Sequence, residues 1–459
     1  MDEEIARFLD PYERHEIEEY ADATFQPDKF YCLDGGFASS LQQFYDKDVD
    51  NDPLWSCRAL KSDPEAVIKT HAAFVEAGAN IITTNSYQGH HELFRKHIQD
   101  FADPIFGPHL LLEKSVDLVD EAIIRATNCG RNADRLVAGS VGPYGACQGD
   151  GSEYTGSYIK TMTRDKLCEW HKDRIKRLTF NNPVTIIAAE TLPSFVEALA
   201  ILDALKDFKG VRCWISFQCR DEATTAYGEP IEEAFRELAS HPDFLKVKAV
   251  GVNCVKPNEV SSLLTKLNSV NNWRQWPKTE FYRKVPYVVY PNGGEDWDAV
   301  KKCWIGNNQD IISHVKEWMI LGANAIGGCC RVGPRLVKEI KEEIIKNTFE
   351  VQKIRLEQSR KDRRPIDQWS YYEKKLKKPS YDEQKKRNAA TKEFFRDGCE
   401  DGDASALVTA QIEAMMAQEN KDIYEAIKKI EFREKIINDH NKEEDLNNDQ
   451  EIDVDDIGN

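Results

Sequence analysis

From Phe30 onward the chain alternates between two hydrophobic rhythms. Short runs of β-branched and apolar residues end in small or polar ones: Tyr31-Cys32-Leu33 before Asp34-Gly35-Gly36, Asn80-Ile81-Ile82-Thr83 before Thr84-Asn85, Leu136-Val137-Ala138-Gly139, and Thr185-Ile186-Ile187-Ala188-Ala189 before Glu190-Thr191. The same pattern returns at Cys213 to Phe217, Ala249 to Cys254, Tyr287 to Tyr290 and Ala325 to Cys330. Between the runs lie stretches whose apolar positions recur at helical spacing: Pro64 to Ala77, Leu110 to Ala126, Arg164 to Phe180, Ser194 to Leu205, Ile231 to Leu238, Val260 to Leu267, Asp310 to Leu321 and Arg335 to Ile345. Ser62 and Asp63 before Pro64, and Ser194, are candidate caps, while Gly78 and Gly322 are candidate stops. Short strands alternating with helices imply a parallel sheet. Eight such units favour an α/β fold closed as a (β/α)8 TIM barrel. No Gly-x-Gly-x-x-Gly turn follows the first strand, which disfavours a dinucleotide fold.

The pattern bounds three regions: an acidic segment over 1–27, the barrel over 28–347, and a charged extension over 348–459. The extension is basic from Lys353 to Arg396 and acidic from Glu400 to Asp456; Ala404 to Ile430 has near-helical apolar spacing, and the last residues read as a solvated tail. Two roles fit the extension, a solubilising tail or a surface for homo-oligomer formation.

Charge narrows the partners. The net charge is −17, from 79 acidic and 62 basic side chains, which disfavours nucleic acid and anionic membranes. The N-terminus lacks the order of a signal peptide, and no apolar run reaches the ~18 residues of a membrane span. A cytoplasmic protein is expected. Its 12 cysteines are scattered over the chain, and most are expected to be free thiols in a core or a reducing compartment.

Three of them stand out. A barrel places its active site at the C-terminal ends of its strands, where Asp34, Thr84, Glu190, Asn253, Cys254, Cys329 and Cys330 fall. Cys254 alone would read as a core residue. Cys329 and Cys330 would point to opposite faces of a regular strand, but Gly327-Gly328 allow a bend that turns both sulfurs inward; a strained vicinal disulfide is the competing reading. Strands six and eight are separated by one strand, so their ends can share a metal. Three thiolates suit Zn²⁺ with a fourth position left for substrate. Such an electron-rich centre is poorly suited to making hydroxide but well suited to holding an incoming thiol as a nucleophilic thiolate. A barrel hydrolase would call for His and Asp ligands, and a non-catalytic zinc scaffold remains the other alternative.

The ordered motifs resemble the homocysteine S-methyltransferase family over about Tyr31 to Lys346. They include Leu33-Asp34-Gly35-Gly36-Phe37-Ala38, Thr84-Asn85-Ser86-Tyr87-Gln88, Gly139-Ser140-Val141-Gly142-Pro143-Tyr144-Gly145-Ala146 and Asp150-Gly151-Ser152-Glu153-Tyr154-Thr155-Gly156. Glu190-Thr191-Leu192-Pro193, Gly251-Val252-Asn253-Cys254, Tyr290-Pro291-Asn292-Gly293-Gly294-Glu295 and Gly327-Gly328-Cys329-Cys330-Arg331 complete the set. The resemblance implies Cys254, Cys329 and Cys330 as zinc ligands, and Asp34 and Glu190 as partners of the homocysteine amino group, with Gly35, Thr84 and Asn253 at the substrate site. It implies homocysteine and a methyl donor as substrates and methionine as product. The Asp-Gly-Ser-Glu-Tyr and Glu-Thr-Leu-Pro segments look like the branch that uses S-methylmethionine or S-adenosylmethionine; the betaine-using branch is the alternative. Val332-Gly333-Pro334 departs from that branch, which has two threonines before the proline.

Overall fold

A computed structural model describes residues 29–127, 135–180, 184, 186–271, 284–298 and 303–361. The acidic segment over 1–27 and the extension beyond Lys361 lie outside the described residues.

Eight parallel strands form the barrel: β1 (Tyr31–Cys32), β2 (Ile81–Thr83), β3 (Leu136–Val141), β4 (Ile186–Leu192), β5 (Arg212–Phe217), β6 (Val247–Asn253), β7 (Tyr287–Tyr290) and, after a two-stranded hairpin of β8 (Asp296–Asp298) and β9 (Cys303–Ile305), β10 (Ala323–Ile326). Their order around the ring is β1-β10-β7-β6-β5-β4-β3-β2. A parallel bridge between Leu33 and Ile81 joins the two ends, supported by Asp34 N–H donating to the Ile81 carbonyl at 3.1 Å.

Each strand faces two cores. Leu33, Ile81, Ile186, Trp214, Val288 and Tyr290 fill the barrel interior, while residues such as Ile187, Ile215, Val250 and Val289 meet the helical layer. This two-sided burial explains why the strands read as continuous apolar runs rather than alternating ones. At Gly251 a Cβ would stand 1.7 Å from the Val288 carbonyl oxygen, so only glycine fits there.

The expected helices form, with ends set by local chemistry. Asp63 caps α1 (Pro64–Glu76) by accepting from Ala66 N–H at 3.0 Å, with Pro64 in the first turn. Ser194 caps α2 (Phe195–Leu205) through Val196 N–H at 3.1 Å. Gly322 ends α3 (Ile312–Leu321) at φ 119°.

The last helix, α4 (Pro334–Lys361), runs beyond Asn347, where the sequence pattern places the barrel boundary. Val351 is fully buried in the main core. Arg355 Nε donates to the Met319 carbonyl at 2.7 Å, its guanidinium also reaches the Ala323 carbonyl and Asn324 Oδ1, and its Cζ lies 4.9 Å from the Phe30 ring centroid. Residues 348–361 are therefore helix continuous with the barrel wall, whose polar surface made them look like the start of the charged extension.

Candidate metal centre and active site

β10 ends at Ile326, and Gly327-Gly328-Cys329-Cys330 form a turn beyond it rather than a bent strand. The glycines are required by close packing: a Cβ on Gly327 would lie 2.6 Å from the Asp34 carbonyl oxygen, and one on Gly328 would lie 2.1 Å from Val332 Cγ1. The turn is fixed by Gly328 N–H to the Asp34 carbonyl at 3.0 Å, Cys329 N–H to Pro291 at 2.7 Å, and Val332 N–H to the Cys329 carbonyl at 3.1 Å. Val332, the departure from the family pattern, is fully buried, and its carbonyl accepts from Gly36 N–H at 2.9 Å. It thus ties the first-strand loop to the cysteine turn.

Cys254 reaches the same point from the end of β6, with φ 54°. The three Sγ atoms lie within 4.8 Å of one another, and Cys254 Sγ is 3.8 Å from Cys330 Sγ. Tetrahedral zinc, at Zn–S about 2.3 Å, sets sulfurs about 3.8 Å apart, so the trio fits such an ion. Among the three thiols, hydrogen bonds with the other two and burial push Cys254 up, while hydrogen bonds with the same neighbours hold Cys330 well below its ordinary value. All three are free cysteines, so the vicinal disulfide reading is not borne out.

The cysteines open on a cavity of about 990 Å³. Asp34, Gly35, Thr84 and Glu190 line it with them. Asn253 does not line it. It is fully buried behind the wall, where its Oδ1 accepts from Thr191 N–H at 2.7 Å and its Nδ2 donates to Thr191 Oγ1 at 2.8 Å and faces Cys329 Sγ at 4.0 Å. Thr191 sits at φ 60°, costly for a β-branched residue. Asn253 therefore clamps the strained residue next to Glu190 from the position preceding Cys254.

The two carboxyls are set differently. Asp34 Oδ2 accepts from Thr83 N–H at 2.8 Å and Thr83 Oγ1 at 2.9 Å. Burial nonetheless pushes its carboxyl up to about 8, against those two bonds. Ser140 Oγ donates to Glu190 Oε1. Burial raises Glu190 to about 7, with the Ser140 bond opposing. Thr84 is structural as well as exposed to the cavity: its Oγ1 accepts from Ser140 N–H at 2.9 Å and pairs with Ser86 Oγ at 2.7 Å.

Three of the motif tyrosines shape the site in ways their spacing did not signal. Tyr290 hydroxyl meets Ser216 Oγ at 2.6 Å and accepts from Trp214 Nε1 at 3.0 Å, building the floor under Glu190. Tyr87 and Tyr154 line the cavity. Burial, then the negative charge of the cysteines, holds the Tyr154 phenol well above its ordinary value, so it stays a protonated donor. The loop residues Asp50, Asn51 and Trp55 also line the cavity and carry no periodic signal that would have singled them out.

A thiol cluster opening on a deep cavity at the strand C-termini defines a barrel enzyme. Residues 31–344 match the family model for homocysteine S-methyltransferase. The chain is 38% identical over 319 residues to a betaine-homocysteine S-methyltransferase of Drosophila melanogaster, covering 68% of this chain and 92% of that one. It is 34% identical to homocysteine S-methyltransferase 2 of Arabidopsis thaliana, covering 69% and 93%. Among solved structures it is similar to the metallated form of the homocysteine methyltransferase MmuM from Escherichia coli, with TM-score 0.56, 30% identity, and 68% and 96% of the two chains covered. The chain belongs to the homocysteine S-methyltransferase family and is a methyltransferase. No helix among the described residues is long and apolar enough to cross a membrane.

Proposed function

We propose that the protein is a zinc-dependent enzyme that transfers a methyl group from a sulfonium donor, S-methylmethionine or S-adenosylmethionine, to homocysteine, giving methionine. The observation that carries this reading is the convergence of Cys254, Cys329 and Cys330 within 4.8 Å at the cavity. These three residues hold the metal, and zinc bound there supplies the positive charge that keeps an incoming thiol deprotonated at neutral pH.

The remaining work falls to the chain. Asp34 and Glu190 take the ammonium of homocysteine as charge-assisted hydrogen bonds. Gly35 lets the loop after Asp34 pack against the cysteine turn, since a Cβ there would stand 2.2 Å from the Val332 carbonyl oxygen. Thr84 fixes the wall between the carboxyls. The thiol proton leaves to solvent, the thiolate sulfur forms the new S–CH3 bond in line as the donor's C–S bond breaks, and the donor departs as a neutral thioether. Tyr154 lines the same cavity as a neutral donor and adds no competing charge. Free thiols of this kind persist in a reducing compartment, and we place the protein in the cytoplasm.

Betaine is the alternative donor, favoured by the Drosophila relative's name. The test is to supply purified protein with homocysteine and each of the three donors in turn and to quantify methionine. Turnover with a sulfonium donor supports the proposal; turnover with betaine alone replaces the donor. No methionine from any donor, with zinc bound, overturns the reading.

A further inference from the structure

A second group of metal-ligand atoms lies away from the cysteines. His91 begins the helix His91–His97, His109 lies in the first turn of the helix Gly107–Thr127, and Asp173 lies within the helix Arg164–Thr179. We propose that these three residues form a second site, for a divalent transition cation such as Zn²⁺, that fastens the three helices beside the cavity.

The geometry is that of a ligand set. Asp173 Oδ2 lies 3.0 Å from His91 Nδ1 and 3.2 Å from His109 Nδ1, and all three atoms fall within 4.8 Å of one another. Ligands about 2.1 Å from a zinc ion stand roughly 3.0 to 3.4 Å apart. The three atoms are shielded from solvent and pair with one another as two short His–Asp ion pairs, whose alignment is poor for hydrogen bonds. Buried donors and acceptors left this way are costly, and one ion satisfies all three at once. Two neutral imidazoles and one carboxylate suit a transition cation rather than Ca²⁺ or Mg²⁺.

The surroundings fit a structural role. Asp173 turns its other oxygen toward Arg177, whose Nε is 3.9 Å from Oδ1, so Oδ2 is left to the histidines. The His91 and His109 ring centroids lie 4.4 Å apart with the planes 22° from parallel, so binding an ion requires one ring to turn until both Nδ1 lone pairs converge on it. His90 is occupied elsewhere: its Nδ1 accepts from Glu92 N–H at 3.3 Å and its ring stacks on Trp170 at 3.5 Å. Trp170, Glu92, Leu93 and Lys96 line the cavity, so an ion here would brace that wall without touching the reacting atoms.

The test uses the full chain, stripped with a chelator, reloaded with Co²⁺ or Zn²⁺ and dialysed. About two ions per chain are expected in the wild type, falling to about one in Asp173→Asn and in His109→Gln. The sulfur-to-cobalt charge-transfer absorption, which reports the cysteine site alone, should stay unchanged in both variants. Should a variant fail to fold, the wild type decides: Co²⁺ should shift and broaden the His91 and His109 imidazole NMR signals. One ion per chain in the wild type, two ions in both folded variants, or histidine signals untouched by Co²⁺ would each overturn the second site. Loss of the charge-transfer band instead would count against the cysteine centre, so the two failures are distinguishable.

Discussion

At the scale of single residues, Asp34 and Glu190 show what the site costs the fold. Burial lifts them to about 8 and about 7, so the metal-free barrel retains protons that the unfolded chain would release. For a carboxyl raised in the folded state, the associated stability is complete below the unfolded value and is lost as pH rises through the folded one. Asp34→Asn and Glu190→Gln should therefore stabilise the metal-free protein at pH about 8.5 by roughly 1 kcal/mol each, seen as a higher Tm, with little change at pH about 5. The same variants should weaken homocysteine binding by about tenfold to a hundredfold, the worth of a charged hydrogen bond. In the wild type, affinity should fall as pH drops below about 8, where Asp34 takes up its proton, and further below about 7, where Glu190 does, because the carboxyls must be ionised to meet the ammonium. Calorimetry across pH measures both effects; wild-type affinity that is flat from pH about 6 to 8, with zinc content constant, would remove the carboxyls from the binding step. Replacing any one of Cys254, Cys329 and Cys330 with Ala should cost most of the activity and the bound zinc while leaving the far-ultraviolet circular dichroism of the barrel intact. These residues were legible in the sequence because Cys254 comes directly at the end of a strand and Cys329 and Cys330 follow a glycine pair just beyond another. Asn253 was legible as a site residue for the same reason, yet its side chain turns behind the wall, and nothing in a linear pattern tells which way a residue at a strand end faces.

At the scale of elements, strands and helices were readable from period and caps, because burial on both sides of each strand leaves an uninterrupted apolar run. What escaped was irregular: the helix Phe37–Leu41, the hairpin of β8 and β9, and the turn that carries Cys329 and Cys330. These are held by long-range backbone bonds, such as Gly293 N–H to the Cys330 carbonyl at 2.9 Å and Gly36 N–H to Val332, which no local spacing encodes. The turn invites a direct test. In Gly328→Ala the new Cβ meets Val332 Cγ1 at 2.1 Å and Val332 Cβ at 2.3 Å, both belonging to a fully buried side chain. The turn must shift to relieve this, moving Cys329 and Cys330 away from Cys254. The expected outcome is zinc affinity reduced at least tenfold, and a loss of about 1 to 3 kcal/mol in stability. Pairing Gly328→Ala with Val332→Ala removes the obstructing methyl groups and should restore part of the zinc affinity, read by competition with a chromophoric chelator. A Gly328→Ala protein with unchanged zinc affinity would mean the turn does not set the cysteine geometry.

At the scale of the whole molecule, the question is where the catalytic body ends. Every barrel strand and every proposed ligand lies before Asn347, which would let the barrel close with the rest removed. The path of α4 moves that limit outward. Val351 has no exposed surface, and Arg355 satisfies the carbonyls of Met319 and Ala323 at the start of β10, the strand that leads to Cys329 and Cys330. Cutting at Asn347 removes both the apolar contact and the guanidinium, leaving backbone acceptors without their donors. A buried valine contributes about 1.5 to 3 kcal/mol, and each charged hydrogen bond about 1.5 to 3 kcal/mol. A chain ending at Asn347 should consequently lose several kcal/mol, a large share of the ~5 to 15 kcal/mol that holds a typical domain, and should bind zinc poorly because its last strand loosens. A chain ending at Lys361 keeps these contacts and should match the full protein in zinc content, Tm and turnover per folded barrel. Arg355→Ala in the full chain separates the guanidinium from the rest of the helix and should account for about 1 to 3 kcal/mol of the difference. Sedimentation of the Lys361 form against the full chain tests whether 362–459 supports self-association, with opposite charges in its halves being too screened by salt to do so alone. If the chain ending at Lys361 folds and binds zinc but turns over no homocysteine, the extension belongs to the active site, and the assignment of catalysis to the barrel alone is wrong.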